Sequence, residues 1–312
     1  MKLTHVETLL ALAECGSVRA AAARLQKSQP VLTKRLQQME EEAGITLFQR
    51  TSRGIVPTDA GLSILARARS VEAELTRLSE EIASLSGCQT GSIRVSATPL
   101  AAIKIMPRAI SRFRKVFPEI GINMTSDLYS DALKALREGH TDIIIGPFAD
   151  ASKAKDIHSE ALFETEMALI TSKDAEHANA TSLRELTSCN WVLLWNNTEN
   201  PGRRLQELFS TNNLAVPRIP VASESQLGVF ALVKELKGVS ILPAQLIEGL
   251  DDKRGIVRLN IKEHIAPLTI SMLMRAGRPL TPAGEVLANC IRHRTAVLTR
   301  AWVNQEGTRL KA

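Results

Sequence analysis

The sequence predicts two architectures in one chain. A unit of short helices followed by a β-hairpin or wing opens it, and an α/β domain of two lobes follows. Three observations predict this. Two short amphipathic helices flank a tight turn within residues 17–38, and a strict heptad runs through residues 59–86. From residue 92 apolar strand runs alternate with helical stretches, the pattern of a parallel α/β sheet.

A chain of 312 residues, 44% hydrophobic, has material for two or more domains. Its formal net charge is +6. Residues 1–58 carry 8 Lys/Arg against 5 Asp/Glu (+3), residues 59–88 carry 3 against 5 (−2), and the remainder +5. The surplus is densest at the N-terminus, which admits a nucleic-acid partner without demanding one. Cys15, Cys88, Cys189 and Cys290 are far apart with no CxxC, so a reduced, cytoplasmic setting is expected rather than a disulfide framework. No leader opens the chain and no apolar run is long enough for a membrane helix, so no membrane partner is expected.

In chain order, Thr4 and Glu7 stand at capping-box spacing for a first helix whose apolar stripe is Val6, Leu9, Leu10 and Ala13, with Gly16 at its end. Ser17 is set to cap a second helix with Val18, Ala21, Ala22 and Leu25 inward; the alanines let a neighbour approach closely. Ser28 is set to cap a third, with Pro30 in its first turn, where a missing N–H costs nothing. Leu32, Leu36 and Met39 point inward. Gln29, Thr33 and Gln37 recur on the outer face with Lys34 beside them. Glutamine offers a paired donor and acceptor to adenine, threonine a hydroxyl and a methyl, and lysine a charge for phosphate or guanine. Periodicity alone equally describes a soluble bundle with a solvated polar face; the neighbouring segments favour a DNA reader. One is the stretch 47–58, a hairpin or wing with Arg53 at its tip, set for a phosphate or a minor groove.

The other is the heptad. Ile64, Ala68, Val71, Leu75, Leu78, Ile82 and Leu85 are spaced alternately by four and three, a narrow seam on about 42 Å of helix. So narrow a stripe is normally met by a second helix, so these residues are expected to dimerise the chain and present two readers to two half-sites.

After a linker at 87–91, strands are expected at 93–97, 120–125 and 142–146, with helices beginning at 98 and 130. A second set places strands at 167–171, 191–195, 221–223 and 239–243 and helices at 200–211 and 225–236. A strand at 268–274 and a helix at 281–301 return to the first half, leaving a cleft between lobes. The expected division is 1–58, 59–88 and 89–312, the last with lobes of about 89–161 plus 268–302, and 162–267. Ligands in such sheets sit beyond the carboxyl ends of strands, which selects Thr98, Leu128, Ser130, Pro147, Trp195 and Ser223. Helix starts at Thr98 and Ser225 favour an anion and Trp195 offers a wall, so a small organic anion is the expected ligand, with no cofactor. Cys290 and His293 share a helical face but no second pair accompanies them, so no metal is expected. No GxGxxG, P-loop, GxSxG or HExxH occurs, and no enzyme is expected.

Residues 17–24, Ser28-Gln29-Pro30, Leu32, Leu36, Glu40, Gly44, Leu47-Phe48-Gln49-Arg50 and Pro57-Thr58-Asp59-Ala60-Gly61 carry a resemblance, as do Thr98-Pro99, the DIIIG strand and GVSILP at 238–243. With these residues the chain resembles a LysR-type transcriptional regulator over nearly its whole length. The resemblance implies an all-α, winged helix-turn-helix N-terminal domain, a dimerising linker helix and a two-lobed effector domain of the type 2 periplasmic-binding-protein kind. It also implies homodimers paired into homotetramers on double-stranded promoter DNA, with RNA polymerase a further expected partner. By position, Gln29, Thr33 and Lys34 fall where the family contacts DNA, with Ser28 nearby and Arg53 on the wing; Thr33-Lys34 stands where Ser-Arg is more usual. Thr98 falls where the family commonly places a polar ligand contact. Two rivals stand beside this: a constitutive architectural DNA binder with an unused cleft, and a solute-binding protein.

Overall fold

The computed structural model describes residues 1–52, 54–85, 91–126, 129–147, 154–194, 203–219, 221–247 and 255–309. The chain divides into two compact units: Met1–Gly91 with Ala135–Thr141, and Ser92–Lys134 with Asp142–Ala312.

The first unit opens with α1 (Leu3–Cys15). It starts before the predicted capping pair, because the Lys2 N–H donates to His5 Nδ1 (3.4 Å), and Thr4 lies within the helix, its carbonyl accepting from Thr8 Oγ1 (2.7 Å). Then come α2 (Val18–Arg24), with Ser17 Oγ accepting from Ala20 N at 3.0 Å, and α3 (Gln29–Ala43). The turn between them is closed by Lys27 N donating to Ala22 O (2.9 Å) and bends through Gln26 at φ 52°. Ala21 and Ala22 are buried, as are Leu32, Leu36 and Met39 on the inner face of α3. The same core takes Leu47, Phe48 and Ile55 from a hairpin of β1 (Phe48–Thr51) and β2 (Gly54–Pro57), paired Thr51 to Gly54 at its tip.

The long helix α4 (Asp59–Leu85) begins where Thr58 Oγ1 accepts from Gly61 N (3.0 Å). Its first seam positions do not stand free. Ala68 is buried in the unit's own core beside Leu65, and Ile64 packs against it. Past them Val71 (45% exposed), Leu75 (38%), Leu78 (54%) and Ile82 (56%) remain uncovered, and the Leu85 side chain lies outside the described residues. The heptad therefore changes use along its length.

From Ser92 on, β3 (Ser92–Ala97), α5 (Pro99–Lys104), α6 (Met106–Phe113), β4 (Gly121–Thr125), α7 (Tyr129–Glu138) and β5 (Ile143–Gly146) follow one another, all in the second unit except the end of α7 from Ala135. β3 pairs in parallel with both β4 and β5. The expected single helix after residue 98 is two, because Pro107 has no N–H to continue the ladder. An unpredicted strand, β6 (Ile157–Thr165), and β12 (Leu268–Arg275) complete the order β4-β3-β5-β12-β6. β6 is an edge, where half-exposed and charged residues such as Glu160 and Glu164 hide the apolar alternation. The central β5 has Ile143, Ile144 and Ile145 fully buried, and α11 (Pro282–Arg309) packs on α6 through the core holding Leu287, Ile291 and Phe113.

The second sheet has β10 (Val239–Pro243), β7 (Met167–Ser172) and β11 (Ile256–Arg258) in that order, and a bridge from Trp191 to Val239 joins it to β8 (Val192–Leu194) and β9 (Val221–Ser223). Helices α8 (Arg203–Thr211), α9 (Gln226–Glu235) and α10 (Ala244–Ile247) accompany it. Trp191 is its anchor: fully buried, edge-on to Phe209, its indole N–H donating to Leu186 O at 3.0 Å. The chain passes between the two sheets twice, through Glu166 and through residues 259–267. A cavity of about 570 Å³ opens at these crossings, lined among others by Thr165, Gln245, Arg258, Glu263 and Trp302. Among the described residues no helix is long and apolar enough to cross a membrane.

A contact between buried Thr171 on β7 and half-buried His177, five residues past the strand's end, makes stability depend on pH. Thr171 Oγ1 donates to Gly238 O (2.8 Å) and lies 2.9 Å from His177 Nε2. Its single proton is committed to Gly238, so Nε2 is the donor to it. Burial lowers the His177 pKa, with Glu176 opposing in part. The unfolded chain therefore takes up the proton first as pH falls, and stability drops below about pH 6.5. Melting temperature is expected to fall between about pH 7.5 and 5.5 more in the wild type than in His177→Gln. Equal falls would show that the histidine does not report.

Candidate functional site

The outer face of α3 presents Gln29, Lys34 and Gln37 fully to solvent, with Thr33 half-buried at its edge. Ser28 occupies the N-cap position and is exposed, but its hydroxyl makes no capping hydrogen bond, contrary to expectation. Pro30 in the first turn already removes one of the N–H groups that a cap would satisfy. Further along, the face turns acidic: Glu41 and Glu42 are exposed, and Glu42 accepts from Gln38 Nε2 at 2.9 Å. Cation and amides at the first turns and carboxylates at the last set a gradient with the helix dipole. A polyanion is drawn to the N-terminal half and repelled from the other.

Arg53 lies outside the described residues. The wing's described cation is Arg50, exposed on β1 next to exposed Gln49 and Thr51. Sequence reasoning passed over it in favour of the turn, although the strand's single buried residue, Phe48, left its other side chains outward. Arg24, also nearby in the chain, is committed to Glu14 and its pKa is raised by that hydrogen bond.

Of the residues expected at a ligand site, Leu128 and Trp195 lie outside the described residues, and of Ser130 only the backbone in α7 is described. Thr98 keeps the N-cap position of α5, its carbonyl accepting from Ala102 N, but its N–H (3.0 Å) and hydroxyl (3.3 Å) both donate to Ile145 O, so its side chain ties β3 to β5 instead of capping the helix. Pro147 follows β5, half-buried. Ser223 ends β9, its Oγ accepting from Ser225 N (3.2 Å), while Ser225 Oγ caps α9 by accepting from Gly228 N (3.2 Å). Thr98 and Pro147 thus sit at the ends of adjacent strands in one sheet and Ser223 at the end of a strand in the other.

Sequence reasoning missed Gln226. In the first turn of α9 it is 8% exposed, and among the described residues neither amide atom has a hydrogen-bond partner. A buried polar atom left unpaired costs about 1–3 kcal/mol, so such a residue asks for a partner. Nothing in the sequence marks it, because a glutamine at a helix start is ordinarily solvated. Among the described residues, none of Thr98, Pro147 and Ser223 lines the cavity at the crossings.

Cys189 and Cys290 belong to different cores, and burial raises the pKa of both thiols. Cys88 lies outside the described residues. Among the described residues no three His, Cys, Asp or Glu gather as a metal site.

Comparison with known proteins adds to this geometry. Residues 3–62 match the family model described as bacterial regulatory helix-turn-helix protein, lysR family. Residues 86–296 match the LysR substrate binding domain. The chain is 28% identical over 245 residues to the HTH-type transcriptional regulator TdcA of Escherichia coli K12, covering 78% of each. Among solved structures, that of CbnR, a LysR family transcriptional regulator, aligns at a TM-score of 0.69 and 20% identity over 95% of this chain and 99% of that one. Full-length CbnR complexed with its target DNA aligns at 0.68 and 21% identity over 94% and 100%.

Proposed function

The chain belongs to the LysR family of bacterial transcriptional regulators, and on that premise we propose that it reads promoter DNA with α3 and answers to a small organic anion in its substrate-binding domain. The observation that carries the first half is the exposed amide-and-lysine face on the N-terminal turns of α3, against carboxylates at its far end. Gln29 and Gln37 read base edges, Thr33 and Lys34 take base or backbone, Ser28 takes a phosphate, and the wing adds Arg50 and Arg53. Residues 1–58 form the reader, 59–88 the dimer helix and 89–312 the effector domain. The exposed run Val71, Leu75, Leu78 and Ile82 pairs two chains, and pairs of pairs give a tetramer in the cytoplasm.

An anion is the effector class that the N-terminus of α9 favours, with Ser223 and Gln226 as its polar partners and Thr98 and Pro147, at strand ends of the other sheet, as further ligand residues. Control requires that this anion bind one quaternary state more tightly than the other. The test is a thermal-shift panel of mono- and dicarboxylates and aromatic acids on the full-length chain, followed by footprints with and without hits. At least one acid is expected to raise the melting temperature and alter the footprint. Gln226→Leu is expected to raise the ligand-free melting temperature by about 2–4 °C and erase the shift, since an apolar side chain no longer needs a partner. A panel with no hit favours the constitutive architectural reading, and an acid that shifts Gln226→Leu equally removes Gln226 from the site.

A further inference from the structure

We infer that Glu40 is a positioning residue for DNA binding: its carboxylate, on the last turns of α3, holds the wing in register with the recognition helix. Glu40 Oε1 accepts from two consecutive wing amides, Leu47 N (2.7 Å) and Phe48 N (3.1 Å). Two N–H groups converging on one charged oxygen fix both the height and the direction of β1 where it leaves α3. Glu40 is half-buried and lies at nearly the same angle around α3 as Gln29 and Thr33, but about two to three turns nearer the C-terminus, with its Oε1 engaged by the wing amides.

The rest of the wing is fastened as closely, by backbone. Ile55 N donates to Gly16 O (2.8 Å), and a Cβ at Gly54, which has φ 127°, would lie 2.3 Å from that oxygen, so the hairpin rests directly on the end of α1. Thr58 N donates to Leu47 O (2.9 Å), and a Cβ at Gly61 would lie 2.0 Å from the same oxygen, which seats the start of α4 on the same peptide. Residues 46–48 are thus a joint between recognition helix, wing and dimer helix, and among the described residues Glu40 is its one side-chain fastening from α3. With that fastening removed, α3 keeps its buried face of Leu32, Leu36 and Met39, but the wing loses its fixed distance from it.

The inference rests on α3 and the wing being the DNA-contacting surface. The test uses full-length protein and a duplex recovered by selection from a random pool with the wild type. Glu40→Ala is expected to weaken binding roughly tenfold, to reduce the salt slope by about 1 to 2, and to lose hydroxyl-radical protection on the wing side while keeping it in the major groove. The Leu47 and Phe48 amides are expected to exchange hydrogen faster. Glu40→Gln retains an acceptor at the same place and is expected to recover the slope, the wing-side protection and slow exchange. A role confined to stability would lower the melting temperature and leave slope and protection pattern intact well below it; that result overturns the inference. So does a Glu40→Gln as impaired as Glu40→Ala, which would make charge rather than acceptance the cause. If wild type itself shows no wing-side protection, the surface assignment fails and not the fastening, which amide exchange still reports.

Discussion

Alanine at both Gln29 and Lys34 is expected to reduce affinity for the selected duplex by about a hundredfold or more, with the melting temperature almost unmoved. Both side chains are exposed, and the core under α3 is made by other residues, Leu32, Leu36 and Met39. Surface changes of this kind usually move stability by no more than about 0.5 kcal/mol. A well-formed glutamine–adenine contact is worth about 1–3 kcal/mol of discrimination, and a lysine on phosphate or guanine contributes a further charge contact. Together these reach the roughly 2.7 kcal/mol that a hundredfold represents. The single changes should differ in kind. Lys34→Ala should lower the salt slope by about 1 if it neutralises a phosphate, across all sequences alike. Gln29→Ala should keep the slope and flatten preference at one base pair. Gel shifts at several salt concentrations, on selected and scrambled duplexes, separate the two. An unchanged affinity in the double variant would remove α3 as the reader.

How much of this was legible in the sequence depends on which interactions set each feature. The three N-terminal helices were legible because their inward residues repeat within a few positions, and local period decides which face is buried. Ser28 kept its predicted position yet makes no cap bond, since a sequence reports a residue type and not a hydroxyl's rotamer. The heptad was legible as a period but not in its division of labour. Ile64 and Ala68 are the same kinds of residue as Val71 and Leu78, and only the fold decides that the first pair meets its own domain. β6 was missed because an edge strand needs no apolar second face. The ligand site was least legible. It draws on strand ends far apart in the chain, and Thr98 spends its hydroxyl on Ile145, 47 residues away. Gln226 acquires its interest only from burial, which no local pattern announces.

Glutamate at Leu78 is expected to dissociate the paired chain and to bring affinity for a two-half-site duplex down to that for a single half-site. Val71, Leu75, Leu78 and Ile82 lie along one stripe of a 27-residue helix, each 38–56% exposed. Covering a leucine or isoleucine is worth about 1.5–3 kcal/mol, and a two-fold pair covers each of these residues twice. The substitution removes that gain at two positions and asks two carboxylates to leave water with no partner, which costs several kcal/mol more. Within one chain nothing comparable is lost, because Leu78 is not part of the unit's core. Loss of pairing also removes the effective concentration that one bound half-site lends to the other, a factor of about 10² to 10⁴. Sedimentation equilibrium should therefore show smaller assemblies of folded protein, and the two duplexes should bind alike. Leu78→Met, apolar and similar in volume, should leave both readings where they are. If Leu78→Glu keeps its mass and its preference for two half-sites, the seam is not the pairing surface, and the two-fold symmetry of the reader must come from another part of the chain.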